Sequence, residues 1–555
     1  MAITETRSES ETGQDDPSLG RAPANTVEAV IGSADHKTIG RSWIISGLLL
    51  LLGSLVVSLV AAIEAVDLGG YALTKDADQF TQVWSLGREM LIFGAVVPLL
   101  VGLATFLVPM QVGAPAIAFA RGASGAFWVW LTGIGLTVAA YIANGGPGGG
   151  RTDFVVLWVF GLGMALIGLT WALVTVATTA MAARTTGMTF DLVPYTTWGF
   201  FIFALVGIVT LPVVMADLVV AYFNVSSGVL GLENSQTLAG VADSVSMAPA
   251  LFWLAIPVVG MGADIIGVHV GRPLQPHRSM LVVLAALGVA GYGADLVGLG
   301  GIRHLDQNNF FSVAGIALAS VMLLAVLGLL VRSVVAGTPA VGAPLVGSLV
   351  AVVLFLLAAA ASLLALAEPL AVSFTENTAL DFDLDRLLVL SGTTFHDGIR
   401  GLAVGATIVG LATALHHWSP KLWGRTTNSS LTFFAVLAGA VGAVLWGLGA
   451  IVAGIDDQAA YPVSELVGGD LVEPMNSLAM IGVAAVLAAA LLVLANTIQA
   501  ALSSGSADPA WSGGTLEWAT DTPPAFGNFA SAPVVRSAAP VFDQEDSGDD
   551  EGEDV

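Results

Sequence analysis

The chain holds seven histidines, His36, His269, His277, His304, His396, His416 and His417, and no cysteine. Neutral imidazole binds transition metals well at pH 7. Without thiolates, iron–sulfur clusters, disulfides and cysteine-ligated copper pairs are excluded within this chain. His396 is the histidine placed well inside an apolar stretch. His416 and His417 sit at the end of the same stretch, where capping or snorkelling suits them better than a two-histidine metal site. A second set of chemically able residues lies in or near apolar runs: Glu64, Arg88, Glu89, Asp217, Asp264, Asp295, Asp397 and Arg400. Each charge costs roughly 2.5–3.5 kcal/mol at the centre of a membrane helix, so such residues are functional candidates by default. Two chemistries suit them. One is a buried network of Arg–carboxylate pairs. The other is a proton or ion path through Asp217, Asp264 and Asp295. The Gly-rich run at 145–150 lacks the Gly-Lys-Ser/Thr ending of a phosphate loop and reads as a turn.

These residues need elements to position them. The chain has 555 residues, 55% hydrophobic and 11% charged, where a soluble protein carries about 25% charged residues. About twelve apolar stretches reach the ~20 residues that a bilayer crossing needs. They centre near Leu50, Val97, Ile134, Leu166, Leu205, Val259, Leu287, Leu324, Phe355, Ile408, Leu437 and Ala489. The expected fold is therefore all-α, a polytopic membrane protein with its twelve-helix domain at 39–503. Lys37, Arg41, Arg121, Arg184, Arg272, Arg278, Arg332, Lys421 and Arg425 fall in one set of loops, and Lys75, Arg151, Arg303 and Arg386 in the alternate set. By the positive-inside rule the first set and both termini are cytoplasmic, in a multi-pass protein of the cell membrane. Net charge is −24, which argues against nucleic acid as a partner and fits adaptation to high salt. Residues 1–38 and 536–555 read as acidic disordered tails. No short apolar core opens the chain, so no signal peptide is expected.

Several strings are specific. Asp35-His36-Lys37-Thr38-Ile39-Gly40-Arg41 resembles the opening of the first helix of the heme-copper oxidase (cytochrome c oxidase) subunit I family. LVPMQVGAPAIAFAR from Leu107 resembles its second inner loop. TGMTFDLVPYTTW from Thr186, with LPVV from Leu211, resembles its fifth helix. LFW from Leu251 resembles the start of its sixth, and WSPKLWGR from Trp418 the end of its tenth. GTLEW from Gly514 and PPAFGNF from Pro523 resemble its C-terminal tail, here 504–535. The order and spacing agree across about residues 35–535.

The resemblance implies a twelve-helix bundle in the lipid bilayer that works with other respiratory subunits. It also implies a low-spin heme, a high-spin heme and a copper ion held by six histidines. Those positions carry other residues here. The low-spin ligand on the second helix falls on Gly87, beside Arg88 and Glu89. The first copper ligand falls at Pro257, or Ile256 with a one-residue gap, and the nearby family glutamate at Val259. The adjacent histidine pair falls on Asp295 and Leu296, and the His-x-His pair on Gly398 and Arg400. The propionate-holding arginines fall on Asp456 and Asp457, whose carboxylates would repel propionates. The proton-path residues fall on Ala116, Thr105 and near Ala325. His396, two residues before Gly398, is the candidate for a lone axial heme ligand; its other reading is a hydrogen-bonded polar residue beside Asp397. With no other ligand in place, no cofactor is expected, heme and copper being implied by the family alone. Arg–carboxylate pairs are then expected to fill the emptied pocket, Arg400 meeting Glu89 or Arg88 meeting Asp397. Three functions stay open: a non-catalytic structural or accessory homologue in a respiratory complex, an active terminal oxidase subunit with unrecognised ligands, and a proton or ion conductor using intramembrane carboxylates.

Overall fold

The computed structural model describes residues 32–67, 72–147, 149–226, 252–295, 310–368, 390, 392–460, 469–503, 511 and 513–542. Among the described residues there are twelve long helices. They are α1 (His36–Glu64), α2 (Ala77–Gln111), α3 (Ala120–Ile142), α4 (Thr152–Ala182), α5 (Tyr195–Ser226) and α6 (Phe252–Val270). After them come α7 (His277–Asp295), α8 (Phe310–Ala336), α9 (Ala343–Ala365), α10 (Phe395–His417), α11 (Ser429–Ile455) and α12 (Val472–Leu502). Among the described residues eleven are long and apolar enough to cross a membrane; α7 has a shorter apolar part, His277–Tyr292. The chain is a multi-pass membrane protein. The face holding the start of α1 and residues 513–542 is the inner face below, and the opposite one the outer face.

Exposure sorts the helices. The apolar stretches of α2 and α10 are wholly buried and that of α6 nearly so, while α1 and α12 bury about a third of theirs. The outer helices turn Leu49, Val56, Phe160, Leu324, Leu437 and Leu491 outward. A helix that is apolar all round is stable in the centre of the bundle or against lipid, so one composition serves both layers. Small residues set the tightest crossings. A Cβ on Gly133 of α3 would stand 2.4 Å from the backbone nitrogen of Ala165 on α4. Such contact replaces the hydrophobic drive that lipid cannot supply.

Within α2 the hydrogen-bond ladder widens to a π-helical stretch over Met90–Val96, just before Pro98. Proline has no N–H and its ring crowds the carbonyl four residues earlier, so the ladder must adjust. Phe93, one of the residues in that stretch, accepts from Trp130 Nε1 through its carbonyl at 2.8 Å.

Two expected boundaries shift. Helix α1 begins at His36, inside the span expected to be tail, because Asp35 caps it by accepting from the Lys37 N–H at 3.1 Å. The ordered C-terminal segment runs past 535 to Phe542, where the Val541 N–H donates to the Gly514 carbonyl at 3.1 Å. The acidic ends proper, His304, Leu296 and the Tyr461-Pro462 pair lie outside the described residues.

Candidate functional site

The outer half of the central pair α2 and α10 gathers three buried charged side chains, Arg88, Glu89 and Arg400, with Asp397 beside them. Arg88 on α2 makes an ion pair with Asp397 on α10, their side chains 3% and 14% exposed. Arg400, one turn further along α10, reaches the same carboxylate at 3.7 Å. The Trp84 ring lies 4.2 Å from the Arg88 guanidinium, a desolvated cation–π contact. The three charged groups border a cavity of about 120 Å³ with Ser58, Gln458 and Asn476. Glycines beside both residues seat their helices closely on other neighbours, α2 on α1 and α10 on α11. A Cβ on Gly87 would stand 3.0 Å from Ser58 Oγ, and one on Gly398 would stand 2.5 Å from the Gly447 carbonyl.

Glu89 does not meet Arg400. It faces the other way, fully buried, and accepts at Oε2 from Tyr141 Oη at 3.1 Å and Trp158 Nε1 at 3.0 Å. Consecutive helical residues point about 100° apart, so Arg88 and Glu89 serve different neighbours. His396 is buried at the outer end of α10 with its ring edge-on to Phe395, centroids 5.8 Å apart.

The carboxylates of the expected ion path are not brought together. Asp217 is exposed on the outer surface of α5. Asp264 on α6 is occupied near the inner face, where it accepts from the Tyr195 and Thr196 N–H groups at 3.3 and 2.8 Å. It caps the first turn of α5 from a neighbouring helix, a favourable place for an anion. Asp295 ends α7, and its side chain lies outside the described residues. Glu64 closes the α1–α2 turn by accepting from the Leu73 and Thr74 N–H groups.

A second polar cluster, on the inner face, does not show in the pattern of intramembrane charges. Glu517, fully buried in a short 3₁₀ turn, accepts from Gln111 Nε2 at 2.9 Å and Trp418 Nε1 at 3.2 Å. Gln111 Oε1 accepts in turn from Thr197 Oγ1 at 2.7 Å. Lys421 Nζ donates to the Thr520 carbonyl at 2.6 Å and to Thr522 Oγ1 at 3.1 Å. Asn528 Nδ2 donates to the Ala114 carbonyl at 2.7 Å, and its Oδ1 accepts from Lys37 Nζ at 3.2 Å. Burial pushes the Glu517 carboxyl above its ordinary range, although its hydrogen bonds pull the other way. Burial lowers the Lys421 amine to about 8, with the charges of Glu517 and Asp521 opposing. The C-terminal segment is thus bolted to α1, the end of α2 and the end of α10, and through Gln111 to the start of α5. The signal for this cluster was the family-like strings themselves, since Gln111, Thr197, Trp418, Lys421, Glu517 and Asn528 all lie in them. His416 and His417 flank the same region: His416 Nδ1 is 2.6 Å from Thr427 Oγ1, and His417 stacks on Trp511 with centroids 5.7 Å apart.

Comparison with known proteins agrees with this architecture. A family model described as Cytochrome C and Quinol oxidase polypeptide I matches residues 38–382. The probable cytochrome c oxidase subunit 1-alpha of Streptomyces coelicolor is 25% identical, with 95% of this chain and 91% of that protein covered. The cytochrome c oxidase subunit 1 of Corynebacterium diphtheriae is 22% identical, with 95% and 93% covered. A solved structure of a heme-copper terminal oxidase dimer superposes with a TM-score of 0.65 at 12% identity, over 92% of this chain and 89% of that one.

The family match corrects the expectation that the chain takes no cofactor. That expectation rested on the residues counted onto the family's ligand, propionate and proton-path positions, whereas heme-copper oxidase subunit I carries heme and copper. The side chains at the positions where the resemblance would put the ligands, however, do not fit those groups. Gly87, Pro257 and Gly398 offer no donor, and Arg400 is a cation turned to Asp397. Among the described residues, no three or more His, Cys, Asp or Glu gather where they could hold a metal ion. The family's redox step is therefore not assigned to residues of this chain. Fold, span number and the matched region agree: the chain belongs to the cytochrome c and quinol oxidase polypeptide I family.

Proposed function

We propose that this chain is a non-catalytic member of its family, a structural or accessory subunit of a respiratory membrane complex, with its inner face and both termini in the cytoplasm. The observation that carries the reading is the contrast between two regions of one bundle. The inner-face bolt keeps its family-like residues in bonding contact, from Gln111 to Glu517 and from Lys37 to Asn528. The positions where the resemblance would put the family's ligands, Gly87, Pro257, Gly398 and Arg400, hold glycine, proline and arginine instead. A bundle so preserved can dock partners in the manner of subunit I without supplying the oxygen-reducing centre. Lys37, Arg41, Arg184, Arg278 and Lys421 near the inner ends support the orientation through the positive-inside rule.

The test is affinity purification of the tagged chain from native membranes, with subunit identification and oxygen uptake on a reduced donor. Co-purifying respiratory subunits, with no oxygen uptake by the isolated chain, are expected. Oxygen uptake that scales with the isolated chain would restore the family's own activity. Purification without any respiratory subunit would remove the accessory reading.

A further inference from the structure

Glu89 is a carboxyl with no exposed surface, and among the described residues no ion pair reaches it. Arg88 precedes it on α2 but is turned to Asp397. Both hydrogen-bond donors, Tyr141 from α3 and Trp158 from α4, meet Oε2; Oε1 is buried with no hydrogen-bond partner. An ionised carboxylate with one oxygen unsolvated in an apolar core is costly, and such a group takes up a proton rather than keep its charge. The proton needs a route.

That route is visible on the outer face. A cavity of about 560 Å³ lies there, lined by Lys75, Asp76, Asp78, Gln79, Gln82 and Asn144, with Tyr141 among its lining residues. Gln82 Nε2 donates to Asn144 Oδ1 at 2.6 Å, so polar groups extend to the phenol. Tyr141 therefore stands between a polar vestibule and the buried carboxyl, 8% exposed and bonded to Glu89. Lys75, Asp76 and Asp78 are the charged groups of the vestibule lining. From α4 the facing group is Trp158, which does not titrate, and from α1 Ser58 packs against Gly87. The Gly-rich turn holds the phenol in place: a Cβ on Gly146 would fall 2.0 Å from the Tyr141 ring.

We propose that Glu89 is a proton-binding site, served from the outer face through the Tyr141 hydroxyl. A protonated water in the vestibule gives a proton to the Tyr141 oxygen. As that O–H bond forms, the original O–H bond breaks and its proton moves to Glu89 Oε2. The carboxylate becomes a neutral acid, the phenol stays neutral, the water is left neutral and no electron is transferred. While Glu89 is ionised, rotation of the phenol hydroxyl toward the vestibule and back exchanges its own proton for one from water, so a proton from the vestibule is the one delivered at the next transfer. Return of the proton follows the same path backward. The ligand is a proton rather than a metal cation, because both neighbours aim N–H or O–H donors at the carboxyl.

The test is infrared spectroscopy of the full chain reconstituted in vesicles, with D₂O mixed in on one face at a time. The wild type is expected to show a protonated-carboxyl C=O band that is missing in Glu89→Gln and shifts when D₂O meets the outer face. Tyr141→Phe keeps the ring and its packing and should slow that shift about tenfold or more, as loss of a positioned proton-transfer group does. Gly146→Ala should slow it too, by displacing the phenol. An unchanged band in Glu89→Gln, a wild-type exchange rate in Tyr141→Phe, or exchange driven only from the inner face would each overturn the proposal.

Discussion

Replacing Asp397 with asparagine should be among the more damaging single substitutions in the outer half of the bundle. The carboxylate sits between two guanidiniums, paired with Arg88 and 3.7 Å from Arg400. Removing one partner of a buried pair costs about 3–5 kcal/mol, because the remaining charge keeps its desolvation penalty. The Arg88 side chain is 3% exposed, so water offers little relief. The double variant Arg88→Met/Asp397→Leu removes the closer pair at similar volume and leaves the more distant Arg400 guanidinium beside an apolar side chain, so recovery is partial. Apolar replacement of a buried pair is often neutral or stabilising. The double variant should therefore recover at least half of the single variant's loss. The assay is reversible unfolding in mixed micelles titrated with denaturing detergent, for wild type, both single variants and the double. A loss below about 1 kcal/mol in Asp397→Asn would match an exposed pair and refute the reasoning. A double variant no better than the worse single one would also refute it.

Other outcomes follow from the same structure. The Lys421 amine is lowered by burial to about 8 from its ordinary 10.5, so between those values the unfolded chain binds more protons than the folded one. Stability from this group is present above about 10.5 and lost as pH falls through about 8, and Lys421→Met should flatten thermal stability across that window. Glu517→Ala should loosen the C-terminal segment, seen as faster limited proteolysis within residues 513–542, since it leaves Gln111 and Trp418 without a buried acceptor at a cost of about 1–3 kcal/mol. Gly133→Val should force α3 from α4 and cost about 1–3 kcal/mol in the same detergent titration, because its Cβ would meet the Ala165 backbone nitrogen at 2.4 Å. Asp217→Asn, on the exposed face of α5, should leave that stability nearly unchanged, within about 0.5 kcal/mol.

Fold and membrane class were legible in the sequence because each helix must satisfy its own backbone in lipid and so announces itself as a run of about 20 apolar residues. The specific strings were legible as well, and the structure gives their reason: Gln111, Thr197, Trp418 and Glu517 are bonded to one another across more than 400 residues of chain. The intramembrane charges were found as a set but not as a circuit. Glu89 read as a possible partner of Arg400, and it bonds Tyr141 and Trp158 instead. Asp217, Asp264 and Asp295 read as one path, and the first two lie on different surfaces with different tasks.

By itself the sequence determined that this chain crosses a membrane many times, that its loops are asymmetric in charge, and that Gly87, Pro257 and Gly398, where the resemblance would put ligands, carry no imidazole. Hydropathy, charge and residue identity are local quantities, and each can be read without knowing what lies nearby. Only the tertiary structure decided that Arg88 and Asp397 meet, that Glu89 turns toward a phenol at the edge of a vestibule, and that the C-terminal segment fastens the inner face. Those outcomes depend on helix rotation and on which helices adjoin. An apolar helix fits core and lipid alike, so its sequence leaves that choice to packing.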